Sequence, residues 1–155
     1  MKKESEVAFK RFAAAWKSLR IGVLSARDEI GRDGVFQRFE YTFELLWKML
    51  RALLEEEGLI VAGPKECFKL AFKKGLLKDT EIYFNMIDDR NLTAHCYDQE
   101  TAGQVFRRIK SEYVRAFEKV MLHIQAQKGG LHRLRESEAV YGTPKRRKLA
   151  KRSNR

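Results

Sequence analysis

Apolar residues recur at steps of three and four along most of the chain, and this spacing constrains the fold more than any other feature. Such a period is typical of amphipathic helices and differs from the two-residue period of strands. It predicts helices over about residues 4–30 and 35–57, a short helix opening at Gly63-Pro64, a fourth after Asp79, and a last one from Asp98 to about residue 127. Joined by short loops, these helices predict an all-α protein, an antiparallel four-helix up-and-down bundle with one extra short helix.

Glycines mark the predicted ends of these helices. The stretch Gly31-Arg32-Asp33-Gly34 separates the first two helices, Gly58 and Gly75 end the second and third, and Gly129-Gly130 closes the bundle. Glycine adopts positive φ without steric cost, which suits it to the position just past a helix end.

The second predicted helix carries two apolar faces. Its main face bears Phe36, Phe39, Phe43, Leu46, Trp47, Leu50 and Leu54, and a weaker face lies on the far side with Tyr41, Leu45, Met49 and Ala52. A helix that is apolar on two sides is either central in its own domain or shared with another subunit. Because no helix is fully central in a small bundle, we expect the weaker face to form a two-fold homodimer interface.

The positive charge of the chain is concentrated at its C-terminal end. The 155 residues carry a net charge of +11, but residues 128–155 hold ten Lys and Arg against two acidic residues, which leaves only +3 for residues 1–127. The sequence therefore predicts a bundle over residues 1–127 and a basic, mostly disordered tail over 128–155. The tail could bind RNA in a salt-sensitive way, or be a solvated extension without a dedicated partner.

Composition and motifs exclude several classes of protein. No apolar run approaches the roughly 18 residues of a membrane span, and Cys67 and Cys96 give no disulfide framework, so a cytoplasmic protein without membrane contact is expected. Phosphate-binding and dinucleotide-binding glycine motifs are absent. The histidines and cysteines are too scattered for a metal site, so no cofactor and no metal are expected.

The segment from Asp88 to Asp98 is unusually rich in functional side chains. Within eight positions it holds Arg90, Asn91, Thr93, His95 and Tyr97. A purely structural interpretation is a polar helix end in which Asp88 or Asp89 pairs with an arginine, the histidine caps the helix and the tyrosine packs at the rim.

The same segment resembles a known family. Arg90-x4-His95-x-Tyr97 is similar to the Arg-x4-His-x-Tyr motif of HEPN domains that are paired with minimal nucleotidyltransferases. The stretches 38–48, 63–66 and 89–95 are similar, in this order, to the "nucleotidyltransferase substrate-binding protein" branch of that family. The resemblance covers about residues 4–125 and does not include the tail.

The resemblance implies a helical homodimer that works beside a small nucleotidyltransferase. In many such pairs the HEPN protein is a toxin, a metal-independent endoribonuclease, and the nucleotidyltransferase is an antitoxin that transfers AMP onto the motif tyrosine. The matching positions are Arg90 and His95 for catalysis and Tyr97 for modification. Two alternatives remain: a non-catalytic subunit that binds substrate or nucleotide for the nucleotidyltransferase, and a basic-tailed RNA-binding bundle without catalysis.

Elementary chemistry is consistent with cleavage by this pair of side chains. RNA carries its own nucleophile in the 2′-hydroxyl, a histidine can transfer protons near neutral pH, and an arginine binds phosphate oxygens. Asn91 and Thr93 either orient the phosphate or the histidine, or are ordinary helix-end polar residues. On an unbroken helix, residues five apart lie about 140° from each other. A working Arg90–His95 pair therefore needs a bent helix end or two copies that meet across a dimer axis.

Overall fold

Seven helical segments make up the described part of the protein. The structure is a computed structural model that describes residues 1–95 and 98–140, with side chains through residue 129. The segments are α1 (Lys3–Ser25), α2 (Glu29–Glu56), α3 (Pro64–Lys73), α4 (Glu81–Thr93), α5 (Gln99–Arg108), a π-helical segment (Ile109–Tyr113) and α6 (Val114–Val140). None of the described residues lies in a β-strand.

The last three segments run on as one long helix, because the residues that join them keep helical backbone angles. This long helix, together with α1, α2 and α4, makes the four main helices of a bundle, and α3 is the short extra one. The predicted all-α class and bundle architecture are therefore confirmed.

The loop between α1 and α2 lies earlier than the glycines predicted. The break falls at residues 26–28 instead of 31–34, and Gly31 and Gly34 both lie inside α2. The reason is a side-chain cap: Asp28 has extended backbone angles and its carboxylate accepts the backbone N–H of Gly31 at 2.8 Å. A capping aspartate stabilises a helix start by about as much as one internal glycine destabilises it, roughly 1 kcal/mol each.

Several predicted helix ends are confirmed. Pro64 occupies the first turn of α3, and Gly58 and Gly75 follow α2 and α3 with φ of 80° and 76°. The carboxylate of Asp98 caps α5 by accepting the backbone N–H groups of Glu100 and Thr101, both at 3.2 Å.

The second helix is central within its own chain. It packs against α1, α3, α4 and α5, and of the four residues on its second apolar face this packing buries only Met49. Met49 is fully buried in the core, so its assignment to a dimer interface was wrong. Tyr41, whose hydroxyl is 2.8 Å from the Ser18 hydroxyl, keeps about a third of its surface exposed, and Leu45 and Ala52 are partly exposed.

Aromatic rings connect α2 to the long C-terminal helix. Phe39 stacks on Tyr113 with ring centroids 5.5 Å apart and also contacts Phe43 and Phe117. All four rings are buried. Aromatic pairs of this kind contribute about 0.5–1.5 kcal/mol beyond the area they bury, so this cluster fixes the register between α2 and the π-helical segment.

The long C-terminal helix continues beyond its predicted end. α6 passes through Gly129-Gly130 to Val140 instead of ending near residue 127. Glycine within a helix costs about 1 kcal/mol relative to alanine, which is not enough to end a helix already several turns long. The predicted boundary between bundle and tail thus falls inside a helix, and residues 141–155 lie outside the described residues. Across the described residues, no helix is both long and apolar enough to cross a membrane.

Candidate functional site

The C-terminal end of α4 is fastened to the long helix through Asp89. This carboxylate is only 4% exposed and accepts two hydrogen bonds from Arg108, from Nε and Nη2, each at 2.7 Å. The Tyr113 hydroxyl donates a third at 2.5 Å. A bidentate arginine and a phenol donor satisfy a buried carboxylate well. The structural interpretation of the sequence, in which Asp88 or Asp89 pairs with an arginine, is confirmed for Asp89.

The π-helical segment brings the two partners of Asp89 onto one face. Arg108 and Tyr113 are five residues apart, which would place them about 140° from each other on an α-helix. A π-helix instead has i→i+5 hydrogen bonds, which bring residues five apart close to alignment, and the Val114 N–H indeed bonds to the Ile109 carbonyl. Burial, and then the hydrogen bond to Asp89, raise the pKa of Tyr113, so its hydroxyl stays a donor at neutral pH.

Arg90 follows Asp89 on α4, and its side chain reaches toward α2. Its Nη2 lies 3.4 Å from Oε1 of Glu44, and its side chain is 39% exposed. Its Nε is buried and has no hydrogen-bond partner in the described part of the chain. An arginine has five N–H donors. A single ion pair through Nη2 therefore leaves further donors on the exposed part of the guanidinium.

The two supporting residues predicted from the motif differ in their surroundings. The Thr93 hydroxyl donates to Oε1 of Glu40 at 2.8 Å and lies 2.8 Å from the Arg90 carbonyl oxygen, so it ties the last turn of α4 to α2. Asn91 is exposed. Thr93 is thus held in place at the helix end, while Asn91 is accessible to a bound molecule.

His95 lies beyond the end of α4. The helix ends at Thr93, and the His95 N–H bonds to the Leu92 carbonyl at 3.0 Å in a tight turn. His95 is exposed. Ala94, between α4 and His95, keeps right-handed helical backbone angles (φ −68°, ψ −19°), so the chain continues past Thr93 in a tighter helical turn. The described residues show neither a bent helix end nor a dimer, and the pairing of Arg90 with His95 stays a prediction. Tyr97 lies outside the described residues.

These positions define what the helix end can do chemically. An exposed guanidinium can bind an anion such as phosphate, and an exposed imidazole close by in sequence can exchange protons with a bound molecule or with solvent. Within the described residues, no three His, Cys, Asp or Glu side chains are grouped so that they could hold a metal ion.

Sequence reasoning missed the residues that hold this helix end in place. Arg108 and Tyr113 gave no signal as partners, since their alignment depends on a π-helical segment that the apolar period does not reveal. Glu40 and Glu44 were not predicted to contact α4. A possible signal was present: both acidic residues lie one turn apart on α2, beside its buried face.

Comparison with known proteins establishes the family of this HEPN-like helical domain. The family model described as "Nucleotidyltransferase substrate binding protein like" matches residues 6–126. The chain therefore belongs to this family, as the resemblance of its motifs predicted.

Relatives and solved structures are consistent with this assignment. A Haemophilus influenzae protein described as a probable ribonuclease HepT is 33% identical over 81 residues, which span 49% of this chain and 56% of that relative. A crystal structure from Thermus thermophilus is 37% identical with a TM-score of 0.63, covering 75% of this chain and 97% of that one. The structure of the H. influenzae protein HI0074 is described as revealing the fold of a substrate-binding domain of a nucleotidyltransferase. It is 25% identical with a TM-score of 0.67, and the match covers 76% of this chain and 98% of that one.

Proposed function

We propose that the chain is the HEPN toxin of a toxin–antitoxin pair, a metal-independent endoribonuclease of the cytoplasm. The observation that carries this proposal is the arrangement at the end of α4. Arg90 presents a partly exposed guanidinium there, and an exposed His95 lies just beyond the helix end. The similarity to the H. influenzae protein called a probable ribonuclease, which extends over a little more than half of that protein's length, also supports the proposal.

In the proposed reaction the RNA supplies its own nucleophile. The 2′-oxygen attacks the adjacent phosphorus, the bond to the 5′-oxygen of the next nucleotide breaks, and a 2′,3′-cyclic phosphate and a 5′-hydroxyl result. His95 exchanges the proton of the 2′-hydroxyl or of the leaving oxygen, which typically contributes about 10²–10⁴ in rate. Arg90 binds the phosphate oxygens and stabilises the charge that develops on them. Asn91 is accessible to the phosphate, and Thr93 supports the site by tying the end of α4 to α2.

Inhibition would come from a minimal nucleotidyltransferase partner that modifies Tyr97. The phenol oxygen of Tyr97 attacks the α-phosphorus of ATP, pyrophosphate leaves, and the phenol proton passes to solvent. The attached AMP adds an anionic phosphate and a bulky adenosine two residues from His95. Both its charge and its size oppose RNA binding at this helix end.

We further propose that two copies form a homodimer through the accessible part of the second face of α2. Tyr41, Leu45 and Ala52 retain exposed surface there, whereas Met49 does not. The dimer would let Arg90 of one copy face His95 of the other, the second of the two conditions for a joint site.

The test is RNA cleavage by the purified chain in EDTA, compared with Arg90→Ala and His95→Ala. Both residues are partly or fully exposed, so neither substitution should change the fold, and circular dichroism checks this. We expect each variant to lose about 10²–10⁴ of the cleavage rate. Cleavage that is equal in all three proteins would refute the assignment.

A second candidate is a non-catalytic subunit that presents substrate or nucleotide to the nucleotidyltransferase. The likeness to HI0074, described as a substrate-binding domain, favours it. Such a subunit would cleave no RNA and would form a stoichiometric complex with the nucleotidyltransferase. An RNA-binding bundle that acts only through its tail would instead lose RNA affinity when residues 128–155 are removed, whatever happens at His95.

A further inference from the structure

Two carboxylates on α2 contact the last turns of α4. Glu40 accepts the hydroxyl of Thr93 at 2.8 Å, and Glu44 lies 3.4 Å from Nη2 of Arg90. The two acidic residues are one turn apart on α2, and Arg90 and Thr93 are one turn apart on α4. The matched spacing brings both pairs together along one contact between the helices.

Glu44 is itself held by a neighbour on its own helix. Its Oε2 accepts the indole N–H of Trp47 at 3.0 Å, while its Oε1 contacts Arg90. The Trp47 ring packs against the core, and the guanidinium of Arg51 lies over the ring, 5.2 Å from its centroid. Oε2 also lies 4.0 Å from Nζ of Lys48, a longer contact than the one with Trp47. The tryptophan packs against the core and therefore sets the orientation of the carboxylate.

The Glu44–Arg90 pair is poorly suited to a role in stability. Both side chains are about one-third exposed, and ion pairs of this exposure contribute little to the free energy of unfolding. An arginine side chain that is free to rotate, however, loses rotamer entropy when it is fixed. A contact that already restricts the arginine in the free protein lowers the entropy that is lost later, when the arginine binds the substrate or the transition state.

We propose that Glu44 is a positioning residue for Arg90, an inference that rests on the proposed nuclease function. Glu44 holds Nη2 and leaves the exposed donors of the guanidinium directed toward the phosphate. Trp47 keeps the Glu44 carboxylate in the orientation that this requires. The negative charge of Glu44 also weakens the attraction of Arg90 for RNA phosphate, so orientation and affinity respond to its removal in opposite directions.

The experiment measures kcat and KM for RNA cleavage by the wild type and Glu44→Gln. The glutamine still offers an oxygen to Trp47 but loses the charge that attracts Arg90. We expect kcat to fall about 2- to 5-fold, because a partly exposed ion pair cannot restrain the guanidinium by more than the free energy of the pair itself. KM should be unchanged or lower. The matched control is Glu6→Gln, since Glu6 is an exposed acidic residue of α1 that pairs with Lys10 at 3.8 Å. The control should retain wild-type kcat and KM.

A second measurement does not depend on cleavage. The ¹⁵N relaxation of arginine Nε groups reports the order of each guanidinium. The order parameter of Arg90 should fall in Glu44→Gln but not in Glu6→Gln. An unchanged order parameter for Arg90 overturns the positioning role, and so does an unchanged kcat. A higher kcat/KM with kcat unchanged also overturns it, because Glu44 would then only compete with phosphate. A wild type that cleaves no RNA refutes the nuclease proposal instead, and the relaxation data still decide whether Glu44 restrains Arg90.

Discussion

Replacing Asp89 with asparagine tests the anchor that holds the end of α4. The substitution keeps the size of the side chain and removes its charge. The carboxylate accepts three hydrogen bonds, two from Arg108 and one from Tyr113. An asparagine has one acceptor oxygen, and its NH₂ group would face the N–H donors of the arginine. At least one hydrogen bond is therefore lost, and two donors oppose each other.

The magnitude follows from the burial of the partners. Breaking a fully buried ion pair by removing one partner costs about 3–5 kcal/mol. Arg108 is 36% exposed, however, so its guanidinium can turn partly toward water, and the cost is reduced accordingly. We expect Asp89→Asn to lower the free energy of unfolding by about 2–3 kcal/mol. For a chain of this length that corresponds to a fall in Tm of roughly 4–12 °C.

Urea unfolding followed by circular dichroism at 222 nm measures this change. The matched control is Asp88→Asn, which removes the same charge from the neighbouring residue of α4, but from an exposed side chain. The control should stay within about 0.5 kcal/mol of the wild type. Equal effects of the two substitutions, or an Asp89→Asn protein as stable as the wild type, would refute the account of this anchor.

Two further predictions concern helix ends. Gly58→Ala should destabilise the protein by about 1–2 kcal/mol because Gly58 has a φ of 80°. Gly129 lies inside α6 with open space where a Cβ would be, so Gly129→Ala should stabilise the protein by up to about 1 kcal/mol. Urea unfolding of both variants checks that the two effects have opposite signs. The hydrogen bonds from Thr101, and then from the Glu100 backbone, hold the pKa of Asp98 below its ordinary value of 3.8, so its contribution to stability is present above that value and is lost as the pH falls through the lower folded-state value. The difference in free energy of unfolding between the wild type and Asp98→Ala, measured from pH 7 down to 2.5, should therefore shrink only at the acid end. A difference independent of pH would contradict the assignment of Asp98 as a charged helix cap.

The apolar period predicted the number and type of the helices, because burial of one helix face determines both. Residue identity placed Gly58, Gly75, Pro64 and Asp98 at helix ends, because backbone freedom and side-chain capping are local properties. The α1–α2 loop was misplaced because Asp28 caps the start of α2 before the glycines, which then lie inside the helix. The helix end near residue 127 was misplaced because glycines alone do not stop a long helix.

The sequence predicted which segment carries the candidate site, but not which residues of other helices contact it. Residue types and the motif drew attention to Arg90, Thr93 and His95, which lie in and just beyond the last turn of α4. The partners of this segment come from elsewhere in the chain: Glu40 and Glu44 from α2, Arg108 and Tyr113 from the long helix. Contacts between distant elements depend on packing and on one π-helical segment, and a period along the sequence carries no information about either.

The products of RNA incubated with the purified chain in EDTA test the central claim most directly. Attack by the 2′-hydroxyl must leave 2′,3′-cyclic phosphate on each new 3′ end and a free 5′-hydroxyl on the other fragment, and mass spectrometry of the fragments distinguishes these ends. We predict such ends with the wild type and their near absence with Arg90→Ala and His95→Ala. Intact RNA with the wild type, or fragments that end in an unmodified 3′-hydroxyl, would contradict the account of this helix end.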